Sequence, residues 1–375
     1  MIYLDNSSTT KIAPEVLEAM MPYLKEEYGN PSSKYYLLAE NAKKAVDFAR
    51  QQVANLLHCD SDEVIFTSGA TESNNFVLKG VFETYGGENS HIVTTRTEHP
   101  SVLETCRFLE TKGVKVTYLE VDRFGRIDPI HLEKVILNDR PLLVSVIWGN
   151  NEVGSLNDLP TISEICLKYG VFLHTDATQV VGKIPIFLRD LPGIRFLSFS
   201  GHKIYGPKGI GVCYIRKEES NIQTRLTPLI HGGSQEFGYR SGTLAVHNIV
   251  GIGQAAELAL KNIESHSEKL KKLDRTLTNI LSEAFGEKIE FNNDQKDKVP
   301  GILSVRFKGK NNEVLSKKLS RYIAISTGSA CSSGKPSHVL AAMGKTITEI
   351  RETIRFSLTP EIEVEDLNIF RQAKL

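Results

Sequence analysis

Eight side chains able to share in chemistry fall within five short stretches of this 375-residue chain. Thr71 lies in "SGATESNN", His99 in "TEHP" and Asn151 in "GNNEVG". Asp176 and Gln179 lie in "DATQ", and Ser200, His202 and Lys203 lie in "SGHK". The small, hydroxyl-rich turn "SGATESNN" reads as the start of a helix. Its backbone N–H groups, with Thr71, could hold a phosphate in the positive field of the helix N-terminus. The same segment is equally a plain helix N-cap made by Ser68 or Thr71. Asp176 follows an apolar run, so its carboxylate needs a cationic or proton-donating partner. Lys203 alone would pass for a solvated lysine, but beside Ser200, His202 and a Gly-rich turn it is a candidate Schiff-base lysine. The nearby "GPKGIG" lacks Walker spacing and precedes a strand, so it is not a phosphate loop. A phosphate cradle, a buried acid and a reactive lysine together point to pyridoxal 5'-phosphate. The acid would keep the pyridine nitrogen protonated, the lysine would hold the aldehyde, and His99 could stack on the ring.

Each of the five stretches follows a short run rich in Val, Ile, Phe and Thr: "EVIFTS", "HIVTTR", "LLVSVIW", "VFLHTD" and "RFLSFS". With "KVTYLEV" these read as buried strands, and helical patterns such as "AKKAVDFARQQVANLL" alternate with them. Strand–helix alternation predicts an α/β domain with a mostly parallel sheet covered on both faces. "GIGVCYIR" follows its predecessor too soon for a helical crossover and is expected as an antiparallel partner, completing seven strands. Ligands of such sheets bind outside the carboxyl ends of the strands, where all five stretches would converge. Beyond "RSGTLAVHN", "IVGIGQAAELAL" and "HSEKLKKLDRTLTNILSEAF" read as long helices, the second with an apolar stripe of Leu270, Leu273, Leu277 and Ile280. Shorter strands and helices then predict a smaller α+β domain. The expected division is a large cofactor-binding domain over 15–257 and a small domain of 1–14 with 258–375.

Composition narrows the function classes. Lys+Arg and Asp+Glu both number 45, which removes the broad electrostatic case for nucleic acid or anionic membrane as the main partner. No apolar run approaches the roughly 20 residues that span a bilayer. "MIYLDNSSTT" lacks the basic start and apolar core of an export signal, so a cytoplasmic protein is expected. The five cysteines are scattered without C-x-x-C spacing, indicating neither a disulfide framework nor a zinc site, and no metal is expected. Cys59, Cys106, Cys166 and Cys213 sit in apolar or helical contexts and are expected to pack. Cys331, in "GSACSSGKPSHVL", stands instead among serines, glycines and a lysine.

The chain resembles the cysteine desulfurases of the NifS/IscS type, fold type I pyridoxal-phosphate enzymes of the class V aminotransferase group. The resemblance rests on "YLDNSSTT", "YGNPSS", "FTSGATESNN", "TEHPSVLE", "NNEVG", "HTDATQVVGKIP", "SFSGHKIYGPKGIG", "YRSGTLAVHN", "STGSACSS" and "IRFSL", in family order over nearly the whole chain. It implies that Lys203 carries the cofactor and later shuttles the substrate's Cα proton. Asp176 would pair with the pyridine nitrogen, Gln179 with the ring hydroxyl, and His99 would stack on the ring. Ala70, Thr71, Ser200 and His202 would hold the phosphate. Thr243 would reach the phosphate of a neighbouring subunit in a homodimer. Asn151, at the cofactor, and Arg355 would clamp the substrate carboxylate, a task for which a guanidinium suits because it engages both oxygens. Cys331, as thiolate, would take sulfur from L-cysteine as a persulfide, leaving L-alanine; His99 and Lys335 could lower its pKa.

Three departures from the family pattern stand out. Tyr35 replaces a usual histidine after "PSS", "GGSQEFG" carries Ser234 and Phe237, and the run from Cys331 to "PSHVL" is about two residues short. A selenocysteine lyase or an aminotransferase is the alternative within the fold, and a sulfur-transfer scaffold the alternative outside catalysis. Cys331 argues against transamination, and Lys203, Asp176 and His99 against an inactive scaffold. "FNNDQKDKVPGILSVRF", "PSHVLAAMG" and "RFSLTP" resemble the desulfurases of DNA phosphorothioation systems. The sulfur acceptor would then be a partner protein, whether a phosphorothioation partner, an iron–sulfur scaffold or a tRNA-thiolation protein, rather than nucleic acid itself.

Overall fold

The computed structural model describes residues 1–218, 221–328 and 336–372. The chain opens on strand β1 (Ile2–Tyr3) and helices α1 (Pro14–Lys25) and α2 (Leu37–Leu57). Strand and helix then alternate through β2 (Val64–Thr67), α3 (Ala70–Tyr85), β3 (His91–Thr95), α4 (Pro100–Glu110), β4 (Lys115–Leu119) and α5 (Pro129–Asp139). They continue through β5 (Leu143–Ser145), α6 (Leu159–Tyr169), β6 (Phe172–Asp176), β7 (Ile194–Ser200) and β8 (Gly211–Ile215). Helix α7 (Val246–Phe285) leads to β9 (Ile289–Phe291), β10 (Ile302–Phe307), α8 (Asn312–Leu319) and β11 (Ile323–Ala324). The last elements are α9 (His338–Ala342), α10 (Ile347–Arg351), β12 (Thr353–Ser357) and α11 (Ile369–Gln372).

Seven strands form one sheet in the order β2-β8-β7-β6-β5-β3-β4. All run parallel except β8, which lies antiparallel between β7 and β2, as its short connection requires. Side chains alternate across the sheet. Val64, Phe66, Val93, Val144, Leu173 and Leu197 join a core with α2, α5, α6 and the first half of α7. Ile65, Ile92, Leu143, Phe196 and Cys213 join the opposite core with α3 and α4. This two-sided burial is why the strands read as continuous apolar runs. The chain leaves β3 toward β4 on one side and returns in β5 on the other. That reversal opens a crevice at the strand ends that carry His99 and Asn151.

A second, three-stranded antiparallel sheet, β12-β10-β9, builds its own core with the latter half of α7, α8 and α11. Strand β1 pairs in parallel with β11, and Leu4 is buried in this second core. The two helices expected after "RSGTLAVHN" are one helix of 40 residues, about 60 Å long. Its middle, "KNIESHSE", contains neither proline nor glycine, so nothing interrupts the hydrogen-bond ladder while it bridges the two cores. No helix among the described residues is long and apolar enough to cross a membrane.

One buried ion pair braces the edge of the sheet beneath the site. Arg50 of α2 meets Glu236 through Nη2–Oε1 at 2.6 Å and Nη1–Oε2 at 2.8 Å, with side-chain exposures of 8% and 0%. The Phe66 amide donates to the same carboxylate at 2.7 Å. The pair thus ties β2 to the turn at Glu236 and Phe237, whose φ values of 49° and 57° lie in the left-handed region. Glu236→Ala would strand a buried guanidinium, so a loss of about 3–5 kcal/mol is expected, read as a lower urea midpoint. A shift worth less than about 1 kcal/mol, the range of exposed pairs, would contradict that role.

Candidate active site

The carboxyl ends of the strands and the start of α3 enclose a cavity of about 430 Å³, closed on the far side by Arg355 of β12. Helix α3 begins just after β2, and its N-cap, Gly69, has no side chain with which to cap the first turn. The expected alternative of a plain cap by Ser68 or Thr71 is therefore not realised. The Ala70 amide instead donates to Ser200 Oγ at 2.8 Å, and Thr71 lines the cavity beside it. Strand β8 passes so close that a Cβ at Gly211 would lie 2.5 Å from Gly69 Cα, which demands glycine there. His202 also lines the cavity, its Nδ1 3.1 Å from Thr9 Oγ1. Burial and the neighbouring lysines push its pKa down to about 4, leaving a neutral ring.

Lys203 follows in the turn after β7. Its Nζ donates to the carbonyls of Ser7 at 2.5 Å and Ser8 at 2.7 Å. Asp176, at the end of β6 and 3% exposed, accepts from Asn74 Nδ2 at 2.8 Å and from the Thr178 amide at 3.0 Å. Asn74 Nδ2 also reaches Ser101 Oγ at 2.8 Å, and that hydroxyl lies 2.8 Å from His99 Nδ1. The acid and the imidazole are thereby fixed through one amide. Because the Ser101 amide donates to His99 Nδ1 at 3.2 Å, the proton of this ring sits on Nε2. Burial lowers the His99 pKa, which keeps it neutral. Gln179 donates to the Ser7 carbonyl at 2.9 Å and accepts from Lys183 Nζ at 2.7 Å. Arg355 donates to the Asn151 carbonyl at 2.8 Å, and to Asp5 and Ser8 at 2.7 Å each.

Ten predicted site residues therefore line one cavity, while Thr243 stands exposed outside it. Cys331 and Lys335 lie outside the described residues. The lining fits pyridoxal 5'-phosphate on its own terms. Ser7 Oγ, Thr178 Oγ1 and Arg355 Nε are buried in it without a protein partner, and the uncapped start of α3 offers amide donors to an anion.

Several residues of the site escaped the sequence reading. Asn74 lies one helical turn beyond Ala70 and so shares its face, a spacing that could have exposed it. Lys183, one turn beyond Gln179, has a pKa pushed down to about 7 by burial and by Lys203 and Arg355. Burial raises two glutamates near the site, Glu152 to about 7 and Glu98 to about 8. Glu98 Oε1 accepts from Thr95 Oγ1 and the Ile147 amide, both at 2.8 Å, an arrangement glutamine would keep. A raised folded pKa means that the folded state binds the extra proton, so this contribution is full below about 4.5 and is lost as pH rises to about 8. His174, His202 and Lys183 titrate with the opposite sign in overlapping windows, so the difference between wild type and Glu98→Gln is the readout. The variant is expected to gain relative stability steadily between pH 4.5 and 8 in urea titrations; a flat difference would refute a neutral Glu98.

Fold and site define a chain of the Aminotransferase class-V family, whose model matches residues 2–370; the protein belongs to that family. Its relatives include "Cysteine desulfurase IscS" of Klebsiella pneumoniae (strain 342), 44% identical over 99% of this chain and 92% of the relative. A solved NifS-like protein superposes with a TM-score of 0.91 at 37% identity, covering 99% of this chain and 97% of its own. The structure described as SspA in complex with cysteine gives a TM-score of 0.83 at 35% identity, over 96% of this chain and 99% of its own.

Proposed function

We propose that this chain is a pyridoxal-phosphate-dependent cysteine desulfurase, which moves the sulfur of L-cysteine onto Cys331 and releases L-alanine. The observation that carries the reading is the convergence of Lys203, Asp176, His99 and Arg355 on one cavity, with the phosphate-binding start of α3 at its edge. Residues 15–257 supply the cofactor-binding part, and 1–14 with 258–375 the smaller part that contributes Arg355 and Cys331.

When bound, the cofactor supplies a sink for the electron pair left as the substrate loses its Cα proton. Ala70, Thr71, Ser200 and His202 would hold its phosphate, Asp176 its ring nitrogen, Gln179 its ring hydroxyl, and Lys203 its aldehyde carbon. Asn151 and Arg355 orient the substrate by its carboxylate, which presents the Cα–H to the Lys203 amine. Lys203 takes that proton and later returns one to carbon. Cys331 thiolate attacks the substrate's sulfur; the S–S bond forms as the C–S bond breaks. Cysteine and the Cys331 thiol thus become alanine and a Cys331 persulfide, with no outside oxidant. His99, its proton held on Nε2, would lie against the cofactor ring as a neutral donor.

The persulfide is handed to an acceptor protein. Thr243, exposed on the segment before α7, supports a homodimer in which it completes the partner's phosphate site. The resemblance of the small part to phosphorothioation desulfurases supports an acceptor of that kind, and recovery of an iron–sulfur scaffold alone in a pull-down would count against it. The activity itself is tested by adding L-cysteine and a reductant to the purified holoenzyme. Alanine and sulfide in equal amounts are expected. Pyruvate or another keto acid without sulfide would favour transamination instead.

A further inference from the structure

His338 lines the cavity and has no part in the mechanism above. It opens α9, the short helix that follows the Cys331 segment. Its Nε2 lies 2.9 Å from the backbone carbonyl of Glu98. A carbonyl only accepts, so Nε2 carries the proton and Nδ1 keeps an open lone pair. His99 is the same tautomer engaged from the other side, with Nδ1 accepting from the Ser101 amide and the proton left on Nε2. His99 and His338 therefore share a tautomer but leave opposite nitrogens unengaged, the Nε2–H donor of His99 and the Nδ1 acceptor of His338.

The ring is firmly placed. Ser337, the N-cap of α9, donates to Glu152 Oε2 at 2.5 Å and accepts from the Leu340 amide at 3.0 Å. Val339 and Leu340 pack with Val153, Met343 and Ile350. Burial lowers the His338 pKa; the Glu98 carbonyl opposes this, Arg107 adds to it, and Glu104 opposes it again. His99 is the other titratable ring facing it, and the Glu98 and Glu152 carboxyls lie behind its two anchors.

We propose that His338 Nδ1 is the acceptor for the proton of a thiol working in this cavity. The inference rests on the desulfurase reading. In the step, the S–H bond breaks, its electron pair stays on sulfur, and an N–H bond forms at Nδ1. The imidazolium stays bonded to the Glu98 carbonyl and returns the proton in a later step, so no co-reactant is needed. The thiol is either the substrate's or that of Cys331.

The test uses the holoenzyme and His338→Gln, whose amide N–H can still reach the Glu98 carbonyl but which has no titrating nitrogen. If His338 takes the proton, kcat for alanine formation falls on the order of 100-fold, KM holds within about threefold, and the acid limb of the kcat–pH profile disappears. Alkylation of Cys331 by iodoacetamide, followed by mass spectrometry across pH, identifies the source. Alkylation slowed about tenfold or more assigns the proton to Cys331, and unchanged alkylation with reduced kcat assigns it to the substrate. Activity within about threefold of wild type, with the acid limb intact, would overturn the proposal and leave His338 as an anchor of α9. Absence of alanine formation in the wild type would overturn the desulfurase reading itself.

Discussion

Lys203→Ala is expected to reduce alanine formation by about 10³-fold or more while leaving a folded protein. On the proposed reading, two functions would leave with one amine: the hold on the cofactor's aldehyde and the transfer of the Cα proton. Among the described residues the geometry gives no understudy: the other lysine near the cavity, Lys183, has its Nζ committed to Gln179 at 2.7 Å. Lys203 Nζ donates to the Ser7 and Ser8 carbonyls, which accept from the amine without competing for a proton. The measurement is single-turnover alanine production alongside the cofactor's absorbance. The variant should still bind cofactor, more weakly, because Ser200, Asp176 and the start of α3 remain. A variant within tenfold of wild type would remove Lys203 from the chemistry.

Cys331→Ser is expected to have the second large effect, with cofactor absorbance retained and sulfide release lost by about 10³-fold or more. A serine hydroxyl is a far weaker nucleophile than a thiolate at neutral pH, so it cannot accept sulfur in its place. Nor can another thiol substitute. Cys59, Cys106, Cys166 and Cys213 are all buried, and burial raises every one of their pKa values, Cys106 and Cys166 to about 12. The same contrast predicts that one cysteine of the native protein reacts quickly with iodoacetamide near pH 8, and that it is Cys331. Rapid modification of any of the four buried thiols, or full turnover by the serine variant, would contradict the assignment.

Much of this site was legible in the sequence because strand ends are easy to see. An apolar run that stops at Asp176 or at Ser200 announces where the sheet ends, and the α/β pattern says that all such ends point one way. What stayed hidden depends on packing between segments far apart in the chain. Asn74 reads as a solvated helix residue until Asp176, 102 positions away, is brought within a hydrogen bond. Glu98 and Glu152 look like ordinary loop carboxylates; only tertiary burial raises their pKa values. The continuity of α7, read as two helices, was hidden for a different reason: helix formers without a proline between them do not reveal that one core gives way to another. Cys331 is the converse, legible as chemistry from its setting and from the resemblance, while its place lies outside the described residues.

The first eight residues are as much a part of this enzyme's equipment as any loop of the sheet. Ser7 and Ser8 supply the carbonyls that hold Lys203, and Asp5 and Ser8 steady Arg355. The extreme end of the chain therefore touches both the amine that would move the proton and the guanidinium that would orient the substrate. A proteolytic nick after residue 8 would release both contacts, and with them Leu4 of the second core and the strand that pairs with β11. Loss of activity on storage should be checked by intact mass at the N-terminus before it is blamed on the thiol.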